Sequence, residues 1–132
     1  TPDTLTVRTG LDGLTPARIA TLYRRAPLLR PTDDAAALWT AFENSQLVLT
    51  LWDGTRLVGL ARLLTDGAQT SYLCDFAVEP DVQGEGVGRR LLDEALARCK
   101  GTEMVLRDSS FSGGYWAKLG FAPVQNAWER TL

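Results

Sequence analysis

The residues whose types and spacing could do chemistry lie between Phe76 and Leu92, where an apolar strand meets Val78-Glu79-Pro80-Asp81-Val82-Gln83-Gly84-Glu85-Gly86-Val87-Gly88-Arg89-Arg90 and a helix pattern follows at once. Such a junction presents bare N–H groups at a helix N-terminus, where the helix dipole also favours negative charge. Glycine lets an anion approach the main chain closely. The pattern is that of a phosphate cradle. Spacing decides which one. The dinucleotide fingerprint would place its third glycine at position 89, which is Arg, and the P-loop would need Lys and then Ser or Thr after Gly88, which Arg89-Arg90 do not supply. The bland alternative is a glycine-rich turn that only reverses the chain.

Absences narrow the chemistry further. The chain has no histidine, which removes Ser-His and Cys-His nucleophilic catalysis, histidine general bases and histidine metal sites together. No metal is implied. Cys74 and Cys99 stand too far apart in sequence for a metal-binding pair and read as reduced core thiols of a cytoplasmic protein. The 132 residues carry a formal net charge of -2 and 45% hydrophobic content, so one domain over residues 1–132 with its own core is expected. No basic field argues for nucleic acid or an acidic membrane. No apolar run approaches a membrane span, and no signal-peptide pattern opens the chain.

The elements that must hold the cradle can be read from periodicity and punctuation. Leu5 to Arg8 alternates as an opening strand. Thr15-Pro16 caps a helix with Ile19, Leu22 and Tyr23 on one side, ending before Pro27. Pro31-Thr32-Asp33-Asp34 starts a second helix with acids in its first turn and Leu38, Trp39 and Phe42 as its stripe. Leu47–Trp52 and Leu57–Leu64 flank Asp53-Gly54 as a hairpin, and Ser71–Val78 is a third long strand. The helix after the cradle runs from about Gly86 to Lys100. Met104–Leu106 forms a strand, and Ser112–Leu119 a short helix capped by Gly120. Phe121–Pro123 and Ala127–Leu132 read as a final strand pair. The order fits an α/β (α+β) domain with one mixed sheet flanked by helices.

Gln83-x-x-Gly86-x-Gly88 resembles the acetyl-CoA signature of the GNAT superfamily of N-acetyltransferases, and Tyr115-Trp116-Ala117-Lys118-Leu119-Gly120-Phe121 resembles its Phe-Tyr-x-Lys-Leu-Gly-Phe segment. The Arg30–Asp34, Phe42–Ser45 and Tyr72–Val78 stretches are similar to small bacterial GNAT proteins and to plastid and cyanobacterial serotonin N-acetyltransferases. The resemblance implies a mixed, mostly antiparallel sheet of six or seven strands with four helices. It also implies transfer of an acetyl group from acetyl-CoA to a primary amine by direct attack in a ternary complex. Gln83, Gly84, Glu85, Gly86, Val87, Gly88 and Arg89 would hold the pyrophosphate. Main-chain groups of Phe76, Ala77 and Val78 would take the acetyl carbonyl and the pantetheine arm, and Ser109 and Trp116 would also contact the cofactor.

Two side chains stand as catalytic candidates within that resemblance. Asp75, an acid in an apolar strand beside the acetyl site, would accept the amine proton; the alternative is an Asp salt-bridged to an Arg. Glu43, Asp108 and Glu129 are weaker choices. Trp116 stands where the family's proton-donating Tyr is expected, and an indole N–H transfers no proton, so Tyr115 or water would protonate the leaving thiolate, or the thiolate would leave unaided. Trp39, Phe42, Trp116 and Trp128 could wall an acceptor pocket. The acceptor would be a small amine, with a protein N-terminal or lysine acetyltransferase, a non-catalytic acyl-CoA sensor and an interaction domain as alternatives. Edge strands at the C-terminus leave both a monomer and a homodimer open.

Overall fold

The computed structural model describes residues 4–108 and 113–132, and Ser109 lies outside them. Among these residues one sheet holds strands β1 (Thr6–Thr9), β2 (Leu47–Asp53), β3 (Arg56–Thr65), β4 (Thr70–Val78) and β5 (Glu103–Leu106) in that spatial order. The first three pairings are antiparallel and β4 pairs β5 in parallel. Helices α1 (Pro16–Arg25) and α2 (Ala35–Glu43) cover one face, packing Ile19, Leu22, Tyr23, Leu38 and Phe42 against Leu60 and Ala77. Helix α3 (Val87–Arg98) covers the other, with Val87, Leu91, Leu92 and Ala95 against Leu49, Leu51 and Val58. The short α4 (Gly113–Lys118) completes the helices. The sheet is thus buried on both faces, which is why β2 reads as an almost unbroken apolar run.

Local signals explain most boundaries. Thr15 accepts the Arg18 N–H at 3.1 Å and Pro16 occupies the first helical turn of α1, where its missing N–H costs nothing. The start of α2 differs from the expectation. Asp34 is the cap, accepting the Ala37 N–H at 3.0 Å, and no acid enters the first turn. A carboxylate closing on a free N–H makes a charge-assisted bond, which outweighs its interaction with the dipole from inside the turn. Tight turns close the β2–β3 and β3–β4 hairpins. In the second of these, Asp66 Oδ1 accepts from the N–H groups of Gln69, Thr70 and Ala68 at 2.7, 3.0 and 2.8 Å.

The expected C-terminal strand pair does not form, so the sheet has five strands rather than six or seven. Residues 121–132 belong to no strand, Pro123 removes a ladder donor, and Val124, Trp128 and Leu132 are exposed. A segment that buries so little apolar surface does not offset the entropy of ordering a hairpin. An ion pair between Arg107 and Glu129 ties this segment to the end of β5.

Those three bonds, led by the one from Gln69, hold the Asp66 carboxyl at about 2, below its ordinary 3.8. The depressed folded-state value means that the contribution of Asp66 is present above about pH 4 and disappears as pH falls through about 2. Thermal unfolding followed from pH 5 to pH 2 is expected to fall more steeply for the native chain than for Asp66→Ala. Parallel curves would show that the turn does not draw on this charge.

Candidate active site

Strand β4 carries the site because it outruns its neighbour. Parallel pairing with β5 begins at Thr70↔Glu103 and ends at Leu73↔Leu106, while β4 continues to Val78. On the other side, β3 stays paired with β4 through Gly59↔Val78, with an irregularity at Arg62/Leu63 that leaves Cys74 without an opposite residue. This bulge turns β4 just where β5 departs. A gap opens beside residues 74–78 that no described strand fills.

The ladder fixes what faces that gap. Glu79 N–H donates to Val58 C=O at 2.8 Å. Antiparallel pairs alternate between bonded and non-bonded, so Leu60–Ala77 and Arg62–Asp75 bond to each other while Ala61–Phe76 and Gly59–Val78 turn their main-chain groups outward. Phe76 and Val78 therefore present N–H and C=O groups to the gap. The Val78 carbonyl already accepts from Gln83 Nε2 at 2.9 Å, which ties the glycine loop to the strand. Ala77 does not join them: its N–H and C=O face β3 and its methyl is core.

At the same end of β4 a 3-10 turn at Pro80–Val82 leads into the glycine loop. Gly86 caps α3 at φ 79°, a left-handed conformation that few other residues adopt, and no side chain caps the helix. The first N–H groups of α3, from Val87, Gly88 and Arg89, accordingly point out of its end without a side-chain partner. Gly84 and Glu85 are exposed beside them. Gly88 lies close to the aromatic residues: a Cβ there would stand 2.5 Å from the Tyr115 hydroxyl, which would have to move aside, and 3.7 Å from the Phe76 ring. Arg89 Nη2 donates to the Lys118 carbonyl at 3.0 Å, joining α3 to the end of α4. Arg90 Nη1 donates to the Leu5 carbonyl at 2.8 Å.

The two aromatic residues of α4 divide the work. Trp116 packs edge-on against Phe76, Phe121 and Tyr115, with centroids 5.4, 5.6 and 5.1 Å away. It serves as a wall of the gap. Tyr115 is 43% exposed and brings its hydroxyl close to Gly88. Burial raises the Tyr115 pKa, partly countered by Arg89, so the phenol holds its proton across the neutral range. Cys74 is a free thiol at the bulge, and burial raises its pKa as well, which leaves it protonated and poorly nucleophilic.

Asp75 departs from the base expected of it. Its side chain points to the α1–α2 face, opposite Phe76, and is entirely closed to solvent. Three donors surround it: Arg30 Nε on Oδ1 at 2.8 Å, and Tyr23 Oη and Arg62 Nε on Oδ2 at 2.8 and 2.7 Å. The salt-bridged alternative is the one the fold adopts. A carboxylate sealed in this way has no path to an amine in the gap. Arg62, unusual in an apolar strand, was a visible signal for this cluster; Tyr23 and Arg30 carried none. Of the weaker candidates, Glu43 is exposed on α2, Glu129 pairs with Arg107, and Asp108 is partly buried beyond β5. The aromatic wall is likewise smaller than expected, since Phe42 is core, Trp39 packs beside it and Trp128 is 98% exposed.

The family pattern described as an acetyltransferase (GNAT) domain matches residues 31–131. The chain belongs to the GNAT acetyltransferases. Solved GNAT structures share the fold along nearly the whole chain. A putative family member from Xanthomonas campestris is 27% identical, with a TM-score of 0.79 over 97% of this chain and 93% of that one. A GNAT family protein from Streptococcus pneumoniae is 23% identical, with a TM-score of 0.76 over 96% and 98%. A GNAT acetyltransferase from Elizabethkingia anophelis with acetyl-CoA bound is 19% identical, with a TM-score of 0.68 over 93% and 79%. The tRNA(Met) cytidine acetyltransferase TmcA of Saccharolobus islandicus is 42% identical over 53 residues, which span 36% of this chain and only 7% of that protein. In this GNAT domain no described helix is long and apolar enough to cross a membrane.

The Asp75 cluster gives a pH-dependent expectation. Burial, reinforced by the Asp75 carboxylate, pushes the Tyr23 hydroxyl well above its ordinary 10.0. A raised folded-state value stabilises fully below about pH 10 and is lost as pH rises towards that value. Tyr23→Phe should cost about 1 kcal/mol near neutrality, as for one buried hydrogen bond. Urea unfolding at pH 7 and at pH 10.5 should show the native chain losing more stability over that interval than the variant. Equal losses would mean that Tyr23 does not titrate as part of the cluster.

Proposed function

We propose that this GNAT domain transfers an acetyl group from acetyl-CoA to a primary amine carried by a small molecule, with both held at once. One observation supports the reading above others: the outward main-chain groups of Phe76 and Val78 and the uncapped start of α3 lie at the same end of one strand, joined by Gln83. A diphosphate fits the second of these and an extended chain of amides fits the first, as an added strand does at a sheet edge. The glycine at 88 keeps the approach free of a Cβ, and among the described residues no side chain caps the start of α3 and no acid lies in its first turn. The residues thus fit the cofactor that the family uses.

When bound, acetyl-CoA supplies an acyl group as a thioester, which an uncharged amine nitrogen can displace. The chain's own part is to orient and to stabilise. The N–H groups of residues 84–89 hold the diphosphate, with Glu85 at the rim of the loop. The Phe76 N–H, turned away from β3, would stabilise negative charge growing on the acetyl carbonyl oxygen. The Tyr115 hydroxyl, protonated at neutral pH, donates to the leaving sulfur and regains its proton from solvent. With Asp75 closed off, water would take one proton from the ammonium form before attack and a second from the nitrogen as the amide forms.

A second reading, a domain that binds acyl-CoA without turning it over, is favoured by Trp116 at the family's tyrosine position. Tyr115 separates the two. Gly86→Glu should abolish stabilisation of the protein by CoA in a thermal-shift titration, because it sets bulk and negative charge against the diphosphate. Unchanged affinity would refute the cradle. Thiol release should then be measured with a panel including tryptamine, serotonin, aliphatic amines and a lysine peptide. Tyr115→Phe is expected to lower kcat about 10²-fold with little change in KM, the scale of a lost proton donor. CoA binding with no thiol released from any amine would favour the sensor.

A further inference from the structure

We propose that Asp75 is a positioning residue of the transferase: acting through Arg30 and Arg62, it pins the bulge of β4 so that Phe76 and Val78 stay turned towards the gap. The inference rests on the transferase reading and adds a role for a cluster that never touches the reactants.

The cluster sits at the register irregularity between β3 and β4. Between Leu73, the last residue paired with β5, and Asp75, the first bonded pair past the bulge, Cys74 is the unpaired insertion. Losing that insertion, so that Cys74 paired with Arg62, would slide the register by one and exchange the faces of every residue beyond it, turning the main-chain groups of Phe76 and Val78 against β3 and those of Ala77 towards the gap. Apolar packing resists this weakly here, because Phe76, Ala77 and Val78 are all apolar and both faces are covered. A charged residue in the register resists it strongly. Asp75 can be buried on the α1–α2 face only where Arg62 of β3 lies opposite and Tyr23 of α1 above.

Arg30 completes the lock from outside the sheet. Its Nε donates to Asp75 Oδ1 and its Nη2 donates to the Cys74 carbonyl at 3.0 Å, so one planar guanidinium spans the bulge. Arg62 Nη1 reaches Ser45 Oγ at 3.2 Å, just past the end of α2. Through these bonds α1, the α1–α2 connection, β3 and the end of α2 converge on the point where β4 and β5 part. No buried side-chain polar atom among the described residues is left unpartnered, so the cluster is closed.

The decisive variant is Arg30→Met, since Arg30 is 39% exposed on its side chain and its loss leaves the Asp75–Arg62 pair intact. Hydrogen exchange at the Asp75 and Ala77 amides, which bond to β3, should quicken at least tenfold in the CoA-free protein while exchange in β1 and β2 stays unchanged. CoA should still bind, with affinity lowered by no more than about tenfold, because the diphosphate cradle is untouched while the strand edge that takes the amides is loosened. Turnover should fall about tenfold or more in kcat with the amine KM held, and Arg30→Lys should recover part of it through a single bond. Asp75→Asn should show the same pattern more strongly if it folds. Native exchange rates at Asp75 and Ala77 in Arg30→Met would overturn the proposal. A uniform rise in exchange over the whole sheet would do so too, by making the cluster a general stabiliser. A native chain that binds no CoA would overturn the transferase reading separately, with the exchange comparison still deciding whether the bulge is pinned.

Discussion

Strand β4 loses one neighbour part-way along its length, and the chemistry of the molecule depends on that loss. A strand edge inside a folded domain is normally paired or covered, because unmet N–H and C=O groups are costly. Here the parallel ladder ends at Leu73 and Leu106, and the next residues carry outward-facing main-chain groups into a gap walled by Phe76 and Trp116. Such an edge is poised to accept an extended ligand. It also has to be held in register without help from one side.

The two faces of β4 have been given different tasks. Towards α3, Phe76 and Val78 join the core and Phe76 meets Trp116, so the side that leads to the cradle is aromatic and aliphatic. Towards α1 and α2, Asp75 gathers a tyrosine and two arginines into a buried ionic cluster. Burying an ion pair is seldom a gain in stability over an apolar core, and removing one partner commonly costs about 3–5 kcal/mol. In the observed register all four groups are satisfied together. Burial disfavours the charge on Arg62, yet the Asp75 hydrogen bond and charge outweigh it, so the guanidinium is more firmly protonated than usual.

At the glycine loop the constraint is the reverse, an absence of side chains. Gly86 begins α3 in a conformation suited to glycine, and Gly88 lets the Tyr115 hydroxyl lie close against α3. Arg89, which might have pointed at a diphosphate, instead ties α3 to the end of α4 through Lys118. That bond holds Tyr115 and Trp116 against the cradle. The basic residue next to the glycines is therefore engaged in joining two helices, and no side chain caps the start of α3.

Much of this molecule was written in near-neighbour chemistry. The Thr15-Pro16 start of α1, the β2–β3 hairpin about Asp53-Gly54, and the Gln83-x-x-Gly86-x-Gly88 entry to α3 depend on residues a few positions apart, so the sequence alone determined them. The C-terminal strand pair was not determined in this way, because alternation proposes a strand but only a partner and a buried face make one. Nor was the face on which Asp75 lies. One residue of bulge at Cys74 set it, and its partners Tyr23 and Arg30 come from 52 and 45 residues away. Tertiary structure alone decided whether that carboxylate met an amine or two guanidiniums, because a strand's sequence records which residues alternate but not where the alternation is broken.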